Sequence, residues 1–330
     1  MTTTWQRLTA GACAFSCVLL AAAAFGCKGS SGASSAASEA PFMAKATAQS
    51  PGATDAPPAD QTGGFDGKRA YEHVAKQVGF GPRPTGSPAI EQLQEYLQSE
   101  LKSYGCTVET DSFSADTPAG RLPMKNILVK IPGEKPGIIL LGTHYDTKRL
   151  ENFVGADDGG SSTGVMLELA RNLCKQKGRY AVWIAFFDAE EAVNREWQDP
   201  DNTYGSRQMA ARFAASGDLP KIKAFILADL VGTHTPHFKR EGTEWLSGLV
   251  WGVAKRLGYG NIFLDVQDQV SDDHDSFLKR KVPATDVIDL DLNDVPYWHK
   301  PQDTLDKIDA KTLAIVGHVF LESVKELQTK

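Results

Sequence analysis

Two adjacent glutamates, Glu190 and Glu191, follow an apolar run that reads Ala181-Val182-Trp183-Ile184-Ala185-Phe186-Phe187-Asp188-Ala189. The short β-branched and aromatic run predicts a buried strand. Two carboxylates at the mouth of such a strand are costly unless they bind a cation or exchange a proton. Side chains of adjacent residues diverge, so one can hold a metal while the other handles a proton.

Other polar residues recur at the ends of apolar runs. His144 and Asp146 follow Gly137–Gly142, and Asp157-Asp158-Gly159 precedes a helical pattern. Asp229 closes Ile222–Leu230, and Trp298-His299 lies near the end of the chain. Open α/β sheets place their ligand sites at these carboxyl ends. Imidazole and carboxylate together suit zinc, with three protein ligands and one open position. Each residue alone has an ordinary explanation: a core histidine, an Asp-Gly turn, a helix cap. Five in one order at successive strand ends favour a shared centre.

The elements that must position these residues alternate. Helices are predicted over Arg69–Val78, Pro88–Tyr104, the stretch after 158–164, Arg207–Ala215, Glu244–Leu257, Asp275–Lys281 and Thr304–Leu327. Strands are predicted over Cys106–Phe113, Met124–Ile131, Gly137–Gly142, from Ala181, over Ile222–Leu230 and over Ala284–Leu290. Continuous apolar strands between helices imply one α/β domain, its mixed, mostly parallel central sheet flanked by helices.

With 330 residues, 42% hydrophobic and 23% charged, the chain can bury a sizeable core. Its net charge of -6 argues against a nucleic-acid partner. Residues 1–27 read as an export signal: Arg7, an uncharged apolar stretch, then Ala24-Phe25-Gly26-Cys27. Cys27 fits a bacterial lipoprotein acceptor, so the expectation is an exported protein anchored to an envelope membrane by lipid there, or otherwise periplasmic or secreted. Membrane contact is expected through that signal or anchor alone. Residues 28–64, rich in Ala, Ser, Gly and Pro, read as a disordered tether, and 65–330 as the folded domain. Cys106 and Cys174 either pair or remain buried thiols.

The motifs that carry a resemblance are Gly81-Pro82-Arg83-Pro84-Thr85-Gly86-Ser87, His144-Tyr145-Asp146, Gly155-Ala156-Asp157-Asp158, Phe186 to Ala192, Tyr204-Gly205-Ser206-Arg207, Asp229-Leu230-Val231-Gly232, Asp272-Asp273-His274 and Trp298-His299. Over residues 66–330 the chain resembles the zinc-dependent aminopeptidases of the bacterial leucyl and aminopeptidase-S type. Within them it looks most like the animal-type glutaminyl-peptide cyclotransferases, the glutaminyl cyclases. The resemblance implies a zinc-exopeptidase-like fold and a monomer acting on peptide or protein N-termini. It implies one zinc held by Asp158, Glu191 and His299 in a cyclase. In an aminopeptidase, two zincs are implied, the second held by His144 and Asp229 with Asp158 bridging. Glu190 matches the general acid/base of both branches, with Asp229 and Asp272 completing an acid cluster.

Trp197 and Trp298 match substrate-pocket residues of the cyclases, although a buried Trp is also ordinary core packing. Two departures stand out. Asp286 occupies a place where the cyclases carry a His, and Thr143 and Thr163 lie near the positions of an animal disulfide. Two other classes read less well. Gly160-Ser161-Ser162-Thr163-Gly164 fits a serine-hydrolase elbow, yet an acidic loop precedes it instead of a strand. A non-catalytic binding module would not need all five donors and Glu190.

Overall fold

The computed structural model describes residues 55–330. The expected signal, 1–27, and most of the expected tether lie outside them. The tether's last residues are ordered. Ala59–Gln61 form a 3-10 turn, and Thr62 is buried with its hydroxyl donating to Phe65 O at 2.6 Å. A few ordered residues inside an Ala/Ser/Gly/Pro-rich stretch do not alter its composition, so the boundary at 65 falls slightly late.

Two helices come first, α1 (Gly67–Gly79) and α2 (Pro88–Ser103). Asp66 caps α1 by accepting from the amides of Lys68 and Arg69. Ser87 caps α2, and Pro88 follows where no amide is needed. Then come β1 (Val108–Thr117), β2 (Gly120–Ile131), β3 (Gly133–His144), α3 (Gly160–Leu173), β4 (Gly178–Phe187) and α4 (Tyr204–Ser216). The chain continues with β5 (Ile222–Asp229), β6 (Phe238–Arg240), α5 (Glu244–Arg256), β7 (Phe263–Gln267), α6 (Asp275–Leu278), β8 (Ala284–Ile288) and α7 (Ala310–Leu327).

The main sheet runs β1-β2-β4-β3-β5-β8. β4, β3, β5 and β8 are parallel, and the β1–β2 hairpin joins antiparallel at the β4 side. The chain leaves β3 for β4 on one side and later returns to β5 on the other. This makes the carboxyl end of β3 the switch point, where sheets of this kind place their ligand sites. Both faces are covered. Ile139, Leu141, Val182, Ile184, Phe186, Ala224 and Ile226 meet the layer of α1, α3 and α7. Ile138, Leu140, Trp183, Phe187, Phe225 and Leu227 meet Met209 and Phe213 of α4 and Phe277 of α6. The period of two divides each strand between the two cores.

Several elements differ from expectation. β2 and β3 run well beyond Met124–Ile131 and Gly137–Gly142 into polar sequence, because the added residues, Gly120–Pro123 and Gly133–Pro136, are mostly exposed and need no apolar run. The two-stranded β6–β7 sheet was not foreseen; its strands are too short for a period to register. The final helix starts at Ala310, not Thr304. Asp309 caps it by accepting from Lys311 N, after a 3-10 turn at Leu305–Lys307. Cys106 and Cys174 form a disulfide, tying the lead into β1 to the carboxyl end of α3.

Candidate active site

At the carboxyl ends of β3, β4 and β5, two groups of three donors converge. One is His144, Asp158 and Asp229; the other is Asp158, Glu191 and His299. They share Asp158, which comes from the loop before α3. His144 Nε2 lies 3.0 Å from Asp229 Oδ1 and 3.4 Å from Asp158 Oδ1. His299 Nε2 lies 3.2 Å from Glu191 Oε1 and 3.3 Å from Asp158 Oδ2. The set is buried apart from a partly exposed His299.

The electrostatics call for a cation. Burial would lower His299, but hydrogen bonds to Asp158 and Glu191 and their charges carry it up to about 10. Burial would also lower His144, yet Asp229 and Glu190 hold it well above its ordinary value. Burial pushes Asp229 up to about 7, against the pull of His144. Asp158 is held well below the usual carboxylate range, because contacts from both imidazoles outweigh its burial. An imidazole among carboxylates is either protonated or bound to a metal. Asp158 Oδ2 and His144 Nδ1 are buried without a hydrogen-bond partner. Histidine and carboxylate donors with unused buried atoms fit a divalent ion of the zinc class.

The donors are fixed from behind. Asp303 accepts from the amides of Asp157 at 2.8 Å and Asp158 at 3.1 Å. Asp157 is therefore no ligand: its carboxylate accepts from Gly232 N and from Tyr297 Oη, each at 2.8 Å. Arg83, fully buried, donates to Val154 O and Gly155 O in the same loop. Asp146 accepts from the amides of Glu190 at 3.0 Å and Glu191 at 3.3 Å. Gly159 has φ 72, and a Cβ there would stand 2.8 Å from both Asp146 O and His144 Cε1. Ala189, Leu230 and His299 all have positive φ, at or next to site residues, where side chains rarely tolerate it.

Glu190 is buried beside the donors, its Oε2 3.7 Å from His144 Nδ1. Burial pushes its carboxyl well up; His144 opposes this, and Asp272 and Glu191 add to it. Asp272 is buried in the loop before α6, close enough for its charge to act on both Glu190 and Asp229. Trp298 stacks on His299, ring centroids 4.2 Å apart. Trp197 is 39% exposed on a neighbouring loop that Asp201 closes by accepting from Val193 N and Asn194 N. Ser162 is fully buried with its hydroxyl 2.7 Å from Thr143 Oγ1, so it presents no nucleophile. Thr143 and Thr163 both donate to His144 O at 2.8 Å, bracing that residue.

The sequence reading missed Lys148. It is 2% exposed, with Nζ 3.3 Å from Glu191 Oε2 and 3.0 Å from Ala192 O. Its ammonium covers one oxygen of Glu191, while the other faces His299. Only its place four residues after His144 could have suggested it. Asp303 was missed as well, since one more Asp in an acidic chain carries no signal.

Residues 126–324 match peptidase family M28. The chain belongs to this family. A glutaminyl cyclase from an Acidobacteriales bacterium is similar in structure. It is 38% identical with a TM-score of 0.75, over 80% of this chain and 95% of that one. A zinc-dependent exopeptidase from Parabacteroides distasonis is 29% identical with a TM-score of 0.70, over 78% and 97%. The glutaminyl-peptide cyclotransferase of Drosophila melanogaster is 29% identical over 72% of this chain and 76% of its own length.

Proposed function

We propose that the chain is a zinc-dependent glutaminyl-peptide cyclotransferase, an acyltransferase that turns the N-terminal Gln of peptides into pyroglutamate and releases ammonia. The observation that carries this reading is the buried Glu190 beside the Asp158–Glu191–His299 donors, in an M28 chain with glutaminyl cyclases among its similar structures. Zinc held by those three residues supplies, when bound, Lewis-acid polarisation of a carbonyl oxygen. Glu190 takes a proton from the peptide's α-amine as its nitrogen bonds to the side-chain amide carbon of the Gln, Cδ. The bond from that carbon to the amide nitrogen then breaks, and Glu190 passes the proton to the departing ammonia. Asp272, whose charge acts on both Glu190 and Asp229, completes the acid cluster with them. Trp298 and Trp197 form the walls that receive the Gln side chain and exclude water. One zinc per chain is proposed.

The test is mass spectrometry of a Gln-initiated peptide incubated with the zinc-loaded protein. Loss of ammonia from an otherwise intact peptide is expected. The Glu190→Gln variant should keep its zinc and lose about 10²- to 10⁴-fold in kcat. The His144–Asp158–Asp229 triad favours the alternative, a two-zinc aminopeptidase. Free N-terminal amino acid from Gln and Leu peptides alike, with two zincs bound, would establish that reading instead.

The protein is further proposed to be exported and lipid-anchored through Cys27. The signal pattern supports this, as does the Cys106–Cys174 disulfide, since such bonds persist in oxidising compartments.

A further inference from the structure

The amino end of the main sheet, opposite the donor site, is basic, although the chain as a whole carries a net charge of -6. Lys135 in β3, Arg179 in β4 and Lys223 in β5 are exposed near the starts of their strands. Lys177 is exposed just before β4, and Lys281 just before the approach to β8, at the close of the exposed run Lys279-Arg280-Lys281. Several acids at this end are already engaged: Asp218 by Lys221 at 2.8 Å, Glu109 by Lys130 at 3.0 Å and Glu326 by Arg256. Glu134 is exposed beside Lys135. Positive charge is left in excess. Trp245, on the first turn of α5, is 46% exposed. It shares a hollow of about 300 Å³ with Ile222, Pro283 and Leu327, and with Lys223 and Lys330.

The chain approaches the fold from this same end. α7 runs back from the site, and just past its last turn Gln328 brackets the start of β4. Its side chain accepts from Tyr180 N at 2.7 Å and donates to Tyr180 O at 3.0 Å. Traced backward from α1, the backbone climbs along α7. Gly67 lies against Ala310 and Ala314, Phe65 against Gly317, and Gly63 against His318 and Glu322. Arg171, in the last turn of α3, donates to Gly64 O at 3.2 Å. The residues before α1 therefore come in from the basic end, and segment 28–54, which leads to Cys27, joins them.

We propose that this face docks on an anionic phospholipid bilayer. The basic side chains meet the headgroup phosphates, and Trp245 sits at the level of the headgroups. The opposite end, with Asp158, Glu190, Glu191 and Asp229, is repelled by the same surface, so the donor site turns to the solution from which peptides arrive. An exposed Trp among lysines suits a layer that is charged outside and apolar within, which a soluble acidic partner does not offer. The contact is reversible: it orients a domain that the lipid at Cys27 keeps near the surface. It rests on the export reading for the presence of a membrane, and not on the reaction at the donor site.

The test is flotation with vesicles of phosphatidylcholine, alone or mixed with phosphatidylglycerol. It uses the chain without residues 1–27, which keeps every described residue and carries neither signal nor lipid. Wild type should float with the mixed vesicles and not with phosphatidylcholine alone. At about 1 M salt, where the screening length is about 3 Å, partitioning should fall about tenfold or more. Each basic residue near an anionic surface contributes about fivefold, so Lys135→Glu, Lys177→Glu and Lys223→Glu together should cut partitioning about a hundredfold. Trp245→Ala should cut it several-fold. Lys68→Glu with Arg121→Glu, away from this face, should leave it unchanged. Equal binding to both kinds of vesicle, binding to neither, or a triple variant that floats like wild type would overturn the surface. If the triple variant does not fold by circular dichroism, the salt dependence and Trp245→Ala still decide. A full chain that takes up no lipid, beside a truncated chain that floats as expected, sinks the anchor and leaves the surface standing.

Discussion

Lys148 sets how Glu191 can behave. With one oxygen covered by the buried ammonium, Glu191 offers the other to the donor set. An ion binding there meets a carboxylate already turned to it, and the lysine keeps the acid-rich pocket from gaining a further unpaired charge. Lys148→Met should therefore lower kcat/KM about 10- to 100-fold at saturating zinc. Steady-state kinetics with metal analysis on the same samples check this; unchanged kinetics would leave the lysine with a packing role alone. The donors themselves were legible in the sequence, because His144, Glu191 and Asp229 follow apolar runs, Asp158 lies in an Asp-Asp-Gly turn before a helix, and His299 follows Trp298. Their supports were not. Lys148 and Asp303 act through distances of about 3 Å across the fold, and no spacing in the chain announces such contacts.

The strands place the donors more firmly than the loops do. β3, β4 and β5 run parallel at the middle of the sheet, so their carboxyl ends line up and bring His144, Glu191 and Asp229 to one edge. Buried strands were readable because both of their faces are apolar. The polar extensions of β2 and β3, and the β6–β7 pair, gave no such pattern. The loop that carries Asp158 hangs between β3 and α3, and the far end of α3 is fastened by Cys174 to Cys106. This link closes a loop across 68 positions. Replacing both cysteines by serine should lower the unfolding free energy by about 4 kcal/mol, mostly by freeing the unfolded chain. Denaturant unfolding of the variant beside wild type measures it, and a loss under about 1 kcal/mol would contradict this.

At the scale of the whole molecule, the proposed anchor separates where the protein sits from what it does. Cys27→Ser should release the protein from the membrane fraction while leaving turnover of a soluble peptide unchanged. Cell fractionation with labelled fatty acid checks it; wild type that never takes up label would remove the anchor. The fold class was legible end to end because alternating helices and buried strands leave few packings open. The exact start of the folded region was not, since Thr62 is buried by contacts that composition cannot register.

The clamp of Asp303 on the amides of Asp157 and Asp158 joins points 146 and 145 positions apart. It sits four residues past His299. A ribosome makes the chain from its first residue onward, so the Asp158 loop emerges well before the residue that holds its amides. The Asp158–Glu191–His299 group is complete only once His299 has been made. The loop that carries Asp158 therefore takes its final shape after translation has passed Asp303.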